Sequence, residues 1–280
     1  MKKYNKILVL GGTGKTGSRI VSRLNRMGLP VQPGSRGAAI PFDWEDESTW
    51  PAVLKGADAV YICFQPDLAV SGAVDIIRHF ASKAVALGVK KLVLLSGRGE
   101  PEAQECEQVI MSAGVDWTII RASWFCQNFS ESHMLESIQA GYFALPVGNI
   151  GEPFVDADDI ADVAVAALTE DGHDGQLYEV TGPRLLTFEA AVAEIAAAIG
   201  KPIQYLRITQ EEYSAMLATH GVPAEIISLI SYLFTEVLDG RNAFITDGVE
   251  RALGRKATDF SDYISKTIAA GAWDQVNTLQ

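Results

Sequence analysis

Short, continuously apolar runs alternate with longer segments of mixed apolar and polar residues along the first half of the chain. Residues 7–10 form the first apolar run, and after a glycine-rich turn residues 18–27 are predicted to form a helix. Further strands are predicted at residues 30–36 (including the loop that leaves the strand), 39–42, 57–63, 91–95 and 116–121, and further helices at residues 46–55, 67–87 and 102–113. This alternation predicts right-handed crossovers and an α/β fold with a doubly wound parallel sheet.

The pattern changes beyond residue 125, where strands become few. Helices are predicted at residues 127–139, 155–168, 188–199 and 247–253 and from residues 211 and 224 onward, a loop at residues 141–153, and strands at residues 176–180 and 203–208. We therefore expect residues 1–125 to form a core to which residues 150–182 return. Residues 126–149 and 183–280 are expected to form a smaller C-terminal lobe.

Composition and charge limit the classes of partner. The chain has 280 residues, of which 48 % are hydrophobic, so it can bury a sizeable core. Its formal net charge of −12 argues against nucleic acid and against an anionic membrane, since both attract basic surfaces. No apolar run approaches the roughly 18 residues of a membrane span. A small-molecule partner is compatible with this charge, and the sequence leaves both a monomer and a homodimer open.

The three cysteines, Cys63, Cys106 and Cys126, show neither a metal-ligand spacing nor a C-x-x-C pattern. Widely spaced cysteines of odd number suit a reducing compartment. The apolar run that follows the N-terminal lysines is too short for a signal peptide, so the sequence predicts a cytoplasmic protein. The histidines show no metal spacing either, and no metal site is expected.

The turn after residues 7–10 carries the clearest candidate chemistry. Gly11, Gly14 and Gly17 have the spacing G-x-x-G-x-x-G between a strand and a helix, which lets the backbone approach a pyrophosphate and aims a helix N-terminus at it. A P-loop is disfavoured because its first glycine would stand at position 9, which is Val9. A purely structural turn remains the other alternative. The candidate cofactor-binding residues here are Gly11, Gly12, Thr13, Gly14, Lys15, Thr16 and Gly17.

The second strand decides which dinucleotide is expected. A carboxylate at its end would pair with a free 2′-hydroxyl of the ribose, whereas a basic residue accommodates the 2′-phosphate of NADP. No carboxylate lies between Gly17 and Asp43, and Ser35 and Arg36 stand at the right distance. We therefore expect NADP(H) in preference to NAD(H), with a solvated loop charge as the alternative for Arg36. Asp43 is expected either to touch the adenine amino group or to cap the helix that follows.

Ligands of parallel sheets bind at the carboxyl ends of the strands. This rule places the glycine turn, Arg36 and residues 122–125 around one crevice, over which the smaller lobe is expected to pack. Phe64 and Gln65 would lie beside the cofactor. Ser96 and Gly97 would lie there too, and the Ser96 hydroxyl could polarise a substrate, bond the nicotinamide ribose or simply complete a turn.

Aromatic residues after residue 122 are candidates for a substrate wall. Trp124, Phe125 and Phe129 could contact a flat or cationic molecule, although packing explains each of them singly at least as well. Gln127 and Asn128 could orient a nicotinamide or begin the next helix. His133 is the candidate proton donor beside Ser96, against the alternative of a surface or packing histidine.

Taken together, these motifs resemble the NmrA-like branch of atypical short-chain dehydrogenases/reductases over about residues 5–255. The version G-G-T-G-K-T at positions 11–16, with Gly34-Ser35-Arg36, is most similar to the ergot-type clavine (festuclavine and agroclavine) dehydrogenases. The resemblance implies a Rossmann-type fold, a substrate-binding C-terminal lobe and NADPH-dependent reduction of an iminium. The motifs that carry it are residues 11–17, Arg36, 96–97, 117–121, 124–129 and 155–164.

One departure from that family pattern affects the chemistry. In ordinary short-chain dehydrogenases the proton donor is the tyrosine of a Tyr-x-x-x-Lys motif, whose lysine lowers the pKa of the tyrosine. This motif occurs nowhere in this sequence, and the matching positions fall near Gly99 and Ala103. Reduction of a ketone needs an acid, whereas an iminium already carries the positive charge that accepts a hydride. We therefore expect an NADP-dependent oxidoreductase acting on a small imine, enone or quinone. The alternatives are a non-catalytic NADP(H)-sensing protein and, less favoured, an epimerase-like enzyme.

Overall fold

The computed structural model describes residues 4–132 and 134–274. Its strands are β1 (Ile7–Leu10), β2 (Val31–Gly34), β3 (Ala59–Ile62), β4 (Lys91–Gly97), β5 (Asp116–Ala122), β6 (Tyr142–Leu145), β7 (Gln176–Val180) and β8 (Gln204–Arg207). Its α-helices are α1 (Lys15–Arg26), α2 (Trp50–Leu54), α3 (Ala73–Ala86), α4 (Pro101–Met111), α5 (Met134–Ala140), α6 (Ala157–Thr169), α7 (Phe188–Ile199), α8 (Gln210–Thr219), α9 (Ala224–Tyr232), α10 (Gly248–Leu253) and α11 (Phe260–Ala269). Short 3₁₀ segments occur at Glu47–Thr49 and Cys126–Phe129, and a π-helical segment occurs at Leu233–Val237.

The chain divides into two compact units. The first comprises the residues up to 122 together with residues 157–180 and 246–256; the second comprises residues 123–156, 181–245 and 257 onward. Residues 246–256, predicted to lie in the smaller lobe, thus belong to the first unit. A side-chain carbon on Gly248 would lie 2.0 Å from the Glu179 carbonyl oxygen, so α10 packs directly on the backbone of β7. This long-range contact has no signal in the local sequence.

Six strands of the first unit form one sheet in the order β2-β1-β3-β4-β5-β7. Every pairing in it is parallel, and β4 and β5 stay in register from Lys91 opposite Asp116 to Gly97 opposite Ala122. Strands β1 and β3 are buried throughout, as expected for strands covered by helices on both faces. The predicted Rossmann-type, doubly wound parallel sheet is therefore confirmed.

Residues 39–42 do not form the predicted strand. The carbonyl oxygen of Ser35 accepts hydrogen bonds from the backbone N–H groups of Ala38 at 3.2 Å and Phe42 at 3.0 Å, which folds the segment back on itself. Phe42 then packs edge-on against Trp44, with ring centroids 4.8 Å apart. The apolar residues of this run serve an aromatic cluster instead of a strand.

Four further elements differ from the prediction. A 3₁₀ segment (Cys126–Phe129) and the short helix α5 (Met134–Ala140) stand where one helix over residues 127–139 was predicted. Helix α3 begins at Ala73 and not at residue 67, because the Asp67 carboxylate accepts the N–H of Ala69 at 2.8 Å and stabilises a turn. Strand β6 lies within residues 141–153, which were predicted to be a loop. Helix α11 has no counterpart among the predicted helices.

The second unit is built around an aromatic core. Phe129 is fully buried there. Four rings lie with their centroids 5.4–5.9 Å from its ring, those of Phe143, Phe154, Phe188 and Phe260. Strands β6 and β8 form a separate parallel pair in this unit. Among the described residues of both units, no helix combines the length and apolarity needed to cross a membrane.

Candidate functional site

Steric constraints explain three of the glycines after β1. Gly11 has a φ of +65°, which residues with a Cβ rarely adopt. A Cβ on Gly12 would lie 2.7 Å from the Cβ of Pro33, and a Cβ on Gly17 would lie 2.1 Å from the Gly11 carbonyl oxygen. The absence of side chains at these positions therefore allows β1, β2 and α1 to approach one another closely.

Gly14 serves a different purpose from these three. A Cβ there would meet only the Gly11 carbonyl oxygen, at 3.3 Å, so the surrounding space is open. Gly14 is the N-cap of α1, no side chain caps the helix, and its first turn holds no acidic residue. The N–H groups and the positive dipole end of a helix start attract anions. This helix start therefore has the space and the polarity that a phosphate group needs.

The side chains of the glycine turn point in different directions. Thr13 is exposed and Lys15 is partly exposed, whereas Thr16 is buried. The Thr16 hydroxyl accepts a hydrogen bond from the phenol of Tyr61 in β3 at 2.9 Å. Burial raises the pKa of Tyr61 well above its usual value, so the phenol stays protonated and keeps donating. The Thr16 side chain thus fastens the start of α1 to the sheet.

Strand β2 brings Ser35 and Arg36 to the edge of the sheet that holds the glycine turn. Leu10 pairs with Gly34, and the N–H of Gly12 donates to the Gly34 carbonyl oxygen at 3.2 Å. Arg36 is exposed, and among the described residues its guanidinium has no carboxylate partner. An unpaired cation just past this strand stands where the fold places a ribose 2′-phosphate.

Asp43 makes local contacts. Its carboxylate accepts the N–H of Glu45 at 3.1 Å, and its carbonyl oxygen accepts the indole N–H of Trp50 at 2.7 Å. The N-cap of the 3₁₀ segment that follows is Asp46, whose carboxylate accepts the N–H of Ser48 at 3.0 Å. Asp43 therefore stabilises the turn before that segment, and its contact with an adenine stays a prediction.

Phe64 and Gln65 follow β3 and differ in exposure. Phe64 is buried, with its ring centroid 5.0 Å from that of Trp44. Gln65 is exposed. The aromatic ring therefore belongs to the core of the first unit, and Gln65 retains a side chain that a ligand can reach.

Ser96 lies near the end of β4 and is buried. Its hydroxyl donates to Oε1 of Glu107 at 2.6 Å, and Nε of Arg121 donates to the same atom at 2.9 Å. A second guanidinium N–H of Arg121 contacts Oε2. Glu107 is fully buried, and a buried carboxylate is stable only when paired and hydrogen-bonded. The Ser96 hydroxyl completes that pairing, and its role toward a substrate stays a prediction.

A second ion pair adjoins this one. Arg98 is buried, and its Nε donates to Oε1 of Glu179 at 2.6 Å. An Nη of Arg121 lies 3.9 Å from the other oxygen of Glu179. Carboxylates and guanidinium groups therefore alternate across the ends of β4, β5 and β7 and neutralise one another.

Gly97, the other predicted residue of β4, contacts a carboxyl group. A Cβ on Gly97 would lie 2.2 Å from Oε1 of Glu100, which is 7 % exposed and hydrogen-bonds the carboxyl of Asp67. Burial, together with the charge of Asp67, raises the pKa of Glu100 to about 9. Burial also raises the pKa of Asp67. Two carboxyls in contact away from cations share a proton, so the pair is singly protonated at neutral pH.

Two of the predicted substrate-binding residues are inside the second unit. Phe129 lies in the aromatic core. Gln127 is buried, and its Nε2 donates to the Asp156 carboxylate at 2.7 Å. These contacts give both side chains a structural role, and their contact with a substrate stays a prediction.

The other three candidates of the second unit keep exposed surface. Trp124 is partly exposed and stacks on Phe234 of the π-helical segment, with ring centroids 5.2 Å apart. Phe125 and Asn128 are partly exposed as well.

His133 lies outside the described residues. Among the residues that the structure does describe, no group of His, Cys, Asp or Glu side chains is arranged to hold a metal ion.

Two constellations escaped the sequence-based prediction. The pairing of Glu107 with Arg121 and that of Asp67 with Glu100 both join residues on different elements, so no local spacing reveals them. A weak signal existed for Glu100 alone, since it precedes Pro101 at a helix start. Nothing in the sequence marks its burial.

The sheet and the glycine turn define the class of this protein, an α/β protein with a dinucleotide site at the carboxyl edge of a parallel sheet. The sequence model of the NAD(P)H-binding family matches residues 11–171, more than half of the chain. The chain therefore belongs to the NAD(P)H-binding family.

Named relatives extend over nearly the whole chain. NAD(P)H azoreductase of Xenophilus azovorans is 31 % identical over 94 % of this chain and 98 % of its own. Agroclavine dehydrogenase of Claviceps fusiformis is 29 % identical over 92 % of this chain and 96 % of its own. The solved structure of NmrA, a negative transcriptional regulator in complex with NADP, matches the fold with a TM-score of 0.71 at 14 % identity, over 98 % of this chain and 100 % of its own.

These matches agree with the resemblance drawn from the motifs. The similarity to NmrA-like proteins and to ergot-type dehydrogenases is confirmed. The chain is a member of a family of NAD(P)H-dependent oxidoreductases.

Proposed function

We propose that this protein is an NADP(H)-dependent oxidoreductase that transfers a hydride to a small organic acceptor, namely an imine or iminium, an enone or a quinone. The observation that carries the proposal is the glycine turn after β1, with its open space at Gly14 and an N-terminal turn of α1 that holds no acidic residue. Relatives named as an azoreductase and as an agroclavine dehydrogenase support the reaction class.

Arg36 supports NADP(H) over NAD(H). Its guanidinium is exposed and has no carboxylate partner among the described residues, and no acidic residue occurs between Gly17 and Asp43. A carboxylate in this region would repel a 2′-phosphate, whereas an unpaired guanidinium attracts it and can donate two parallel hydrogen bonds.

The residues of this chain supply binding and position. When bound, NADPH supplies the hydride. The backbone of residues 11–14 and the start of α1 hold the pyrophosphate, and Arg36 holds the 2′-phosphate. The buried pairing of Glu107 with Arg121 fixes the end of β4, where Ser96 and Gly97 border the site. A rigid end of the strand matters because hydride transfer requires close and well-oriented reactants.

The choice of acceptors rests on the missing Tyr-x-x-x-Lys pair. Of the two matching positions, Gly99 has a φ of +76° and Ala103 is fully buried, so neither offers an acid. An iminium needs no proton when it accepts a hydride. A quinone or an enone forms a delocalised anion, which is easier to generate than the alkoxide of an ordinary ketone.

Nucleotide binding is the first test. We expect NADPH to bind at least tenfold more tightly than NADH when nicotinamide fluorescence is followed during titration. The substitution Arg36→Ala should remove this preference and leave NADH binding nearly unchanged. Arg26→Ala, which changes an exposed arginine at the end of the same α1, is the matched control and should retain the preference. Failure of both nucleotides to bind would contradict the interpretation of the glycine turn.

An acceptor panel is the second test. Oxidation of NADPH by at least one iminium, enone or quinone would support the reductase and identify its acceptor class. Tight NADPH binding with no oxidation by any acceptor would contradict it and would favour the alternative, a non-catalytic NADP(H)-sensing protein of NmrA type.

The proposal also includes a reducing, cytoplasmic setting. All three cysteines are free thiols, and Cys106 and Cys126 are buried. Fractionation of the cells that produce the protein should recover it with the cytoplasmic proteins. Recovery with a secreted or membrane fraction would contradict the setting.

A further inference from the structure

Two carboxyl groups meet at the edge of the sheet that carries the glycine turn. Asp67 follows β3 and Glu100 follows β4, and these neighbouring strands are parallel, so their carboxyl ends lie at one edge. Strand β1, which leads into the glycine turn, pairs with β3 on its other side. The topology therefore brings the Asp67–Glu100 pair and the dinucleotide-binding turn to the same edge of the first unit.

The fold holds the Glu100 carboxyl in place. Its Oε1 and Oε2 lie 2.2 Å and 2.5 Å from the point where a Cβ of residue 97 would stand, so the group occupies space that only a glycine leaves. Glu100 is 7 % exposed, and its carboxyl hydrogen-bonds Asp67. Asp67 is less buried and also accepts the N–H of Ala69 at 2.8 Å. Asp67 is thus the outward member of the pair, and Glu100 is the inward one.

The groups that face this pair do not neutralise it. Among the described residues no lysine or arginine forms an ion pair with either carboxyl. Glu102 and Glu107 of α4 add negative potential, although Glu107 is itself paired with Arg121. Lys15 of α1 and Asp67 both act on the Cys63 thiol beside them, whose pKa burial raises to about 11. Two contacting carboxyls without a cation are held together by a shared proton.

We propose that the Asp67–Glu100 pair is the proton donor of this reductase, acting on acceptors that become anionic when they receive a hydride. This inference rests on the function proposed above. The O–H bond of the pair breaks, its electrons stay on the carboxylate, and the proton bonds to the acceptor oxygen or nitrogen. The two electrons come with the hydride from NADPH, the reductant, which would leave as NADP⁺, and water returns the proton to the pair through the more exposed Asp67.

The proposal predicts that acceptors differ according to their need for a proton. Menadione, a quinone, becomes an anion after hydride transfer and requires the proton. The N-methyl-3,4-dihydroisoquinolinium cation becomes a neutral amine and requires none. Comparing the two in one protein separates loss of the proton donor from general damage to the site, because damage lowers both rates.

The kinetic experiment uses Glu100→Gln and Asp67→Asn, with Glu105→Gln on the exposed side of α4 as the matched control. We expect each of the first two variants to lower the ratio of menadione to iminium kcat by about a hundredfold, the size of a general-acid contribution. The control should keep the wild-type ratio. In the wild type, kcat for menadione should fall above about pH 9, where Glu100 ionises, while kcat for the iminium stays level.

A second readout needs neither cofactor nor turnover. Infrared difference spectra of the cofactor-free protein between pH 6 and pH 10 should show the C=O stretch of one protonated carboxyl disappearing. Glu100→Gln should lack that band, and Glu105→Gln should retain it.

Equal loss of both activities in the two pair variants, or an unchanged ratio, would overturn the inference. So would the absence of the infrared band from the wild type. If the wild-type protein reduces neither probe nor any other acceptor, the proposed function fails and the inference fails with it. Turnover with an unchanged ratio removes the inference alone.

Discussion

Two buried acids at opposite edges of the first-unit sheet, Asp58 and Glu100, have opposite surroundings. At the amino edge, Asp58 precedes β3 and is buried, and it accepts hydrogen bonds from the Asn5 N–H at 2.6 Å and from Nζ of Lys90 at 2.7 Å. The bond from Lys90, followed by that from Asn5, lowers the pKa of Asp58. At the carboxyl edge, Glu100 hydrogen-bonds another acid, Asp67, and burial raises the pKa of Glu100 to about 9.

The contrast shows at which position a buried carboxyl group lacks partners that stabilise its ionised form. Asp58 gains stability from its ionised form, whereas Glu100 can stay buried only by keeping a proton. Such perturbed groups concentrate at functional sites, since a structural position is readily satisfied by a cation or a backbone donor. The carboxyl edge also holds Gly14, whose missing side chain leaves open space. Both features support the proposal that the functional site lies at that edge.

The largest effect is expected at Gly17. Gly17→Ala would place a Cβ 2.1 Å from a backbone oxygen that cannot move without shifting the turn. We expect a loss of more than about 4 kcal/mol in the free energy of unfolding, measured by urea denaturation with tryptophan fluorescence. Ser18→Ala, at the exposed position next to it, should cost less than about 0.5 kcal/mol. A stable Gly17→Ala protein would show that the turn is not sterically fixed.

Asp58 should come next. Asp58→Ala removes a buried carboxylate that accepts hydrogen bonds from Asn5 and Lys90, and we expect a loss of about 2 kcal/mol at pH 7. Because the folded pKa lies below the ordinary value of 3.8, this stabilisation is complete above that value and is lost as pH falls through it toward the folded pKa. Urea unfolding at pH 7, 4 and 3 should therefore show the difference between wild type and variant shrinking. A constant difference would assign the loss to packing alone.

Gly14→Ala tests whether Gly14 serves ligand binding, in contrast to the glycines of the same turn that close packing requires. Its Cβ would lie 3.3 Å from the Gly11 carbonyl oxygen, a tight contact, with open space on its other sides, so we expect stability to stay within about 1 kcal/mol of wild type. The same methyl group would occupy space intended for a phosphate, and NADPH affinity should fall about tenfold, which corresponds to about 1.4 kcal/mol. Urea unfolding measures the stability of the variant, and fluorescence titration measures its affinity for NADPH. Unchanged affinity would contradict the assignment of that space to a phosphate.

The smallest effect is a pH-dependent gain. The pKa of Glu100 is raised in the folded protein. Its carboxyl therefore causes no pH-dependent loss of stability below the ordinary value of 4.5, and it increasingly destabilises the fold as pH rises toward about 9. Glu100→Gln should therefore match wild type at pH 4 and exceed it by about 1 kcal/mol at pH 8, or about 2–4 °C in Tm. Calorimetry across this range measures the effect. A variant that is less stable than wild type at pH 8 would mean that Glu100 is ionised in the fold.

The sequence reveals features that depend on backbone geometry. The glycine spacing was recognisable because Gly11, Gly12 and Gly17 each stand where a Cβ is sterically costly. The strands β1 and β3 were recognisable because they are buried throughout, which leaves the continuous apolar runs 7–10 and 59–62. Residues 39–42 looked similar, yet their apolar side chains serve the aromatic cluster around Trp44.

Features that depend on long-range partners were not recognisable. The sequence shows Glu107 and Arg121 as ordinary charged residues, and only the pairing of β4 with β5 brings the arginine to the carboxylate. Phe129 and Trp124 looked equivalent, although one lies in the core and the other keeps exposed surface. Likewise, the return of residues 246–256 to the first unit depends on contact between Gly248 and β7, which lies far away in the sequence.

Gly97 has a consequence for engineering this scaffold. The carboxyl group of Glu100 fills the volume beside the α-carbon of Gly97. Residues 97 and 100 therefore have to be changed together. A routine glycine-to-alanine stabilisation at this position would displace the carboxyl toward solvent and break its contact with Asp67. Anyone who transplants this edge into another protein of the family must therefore move the glycine and both acids together.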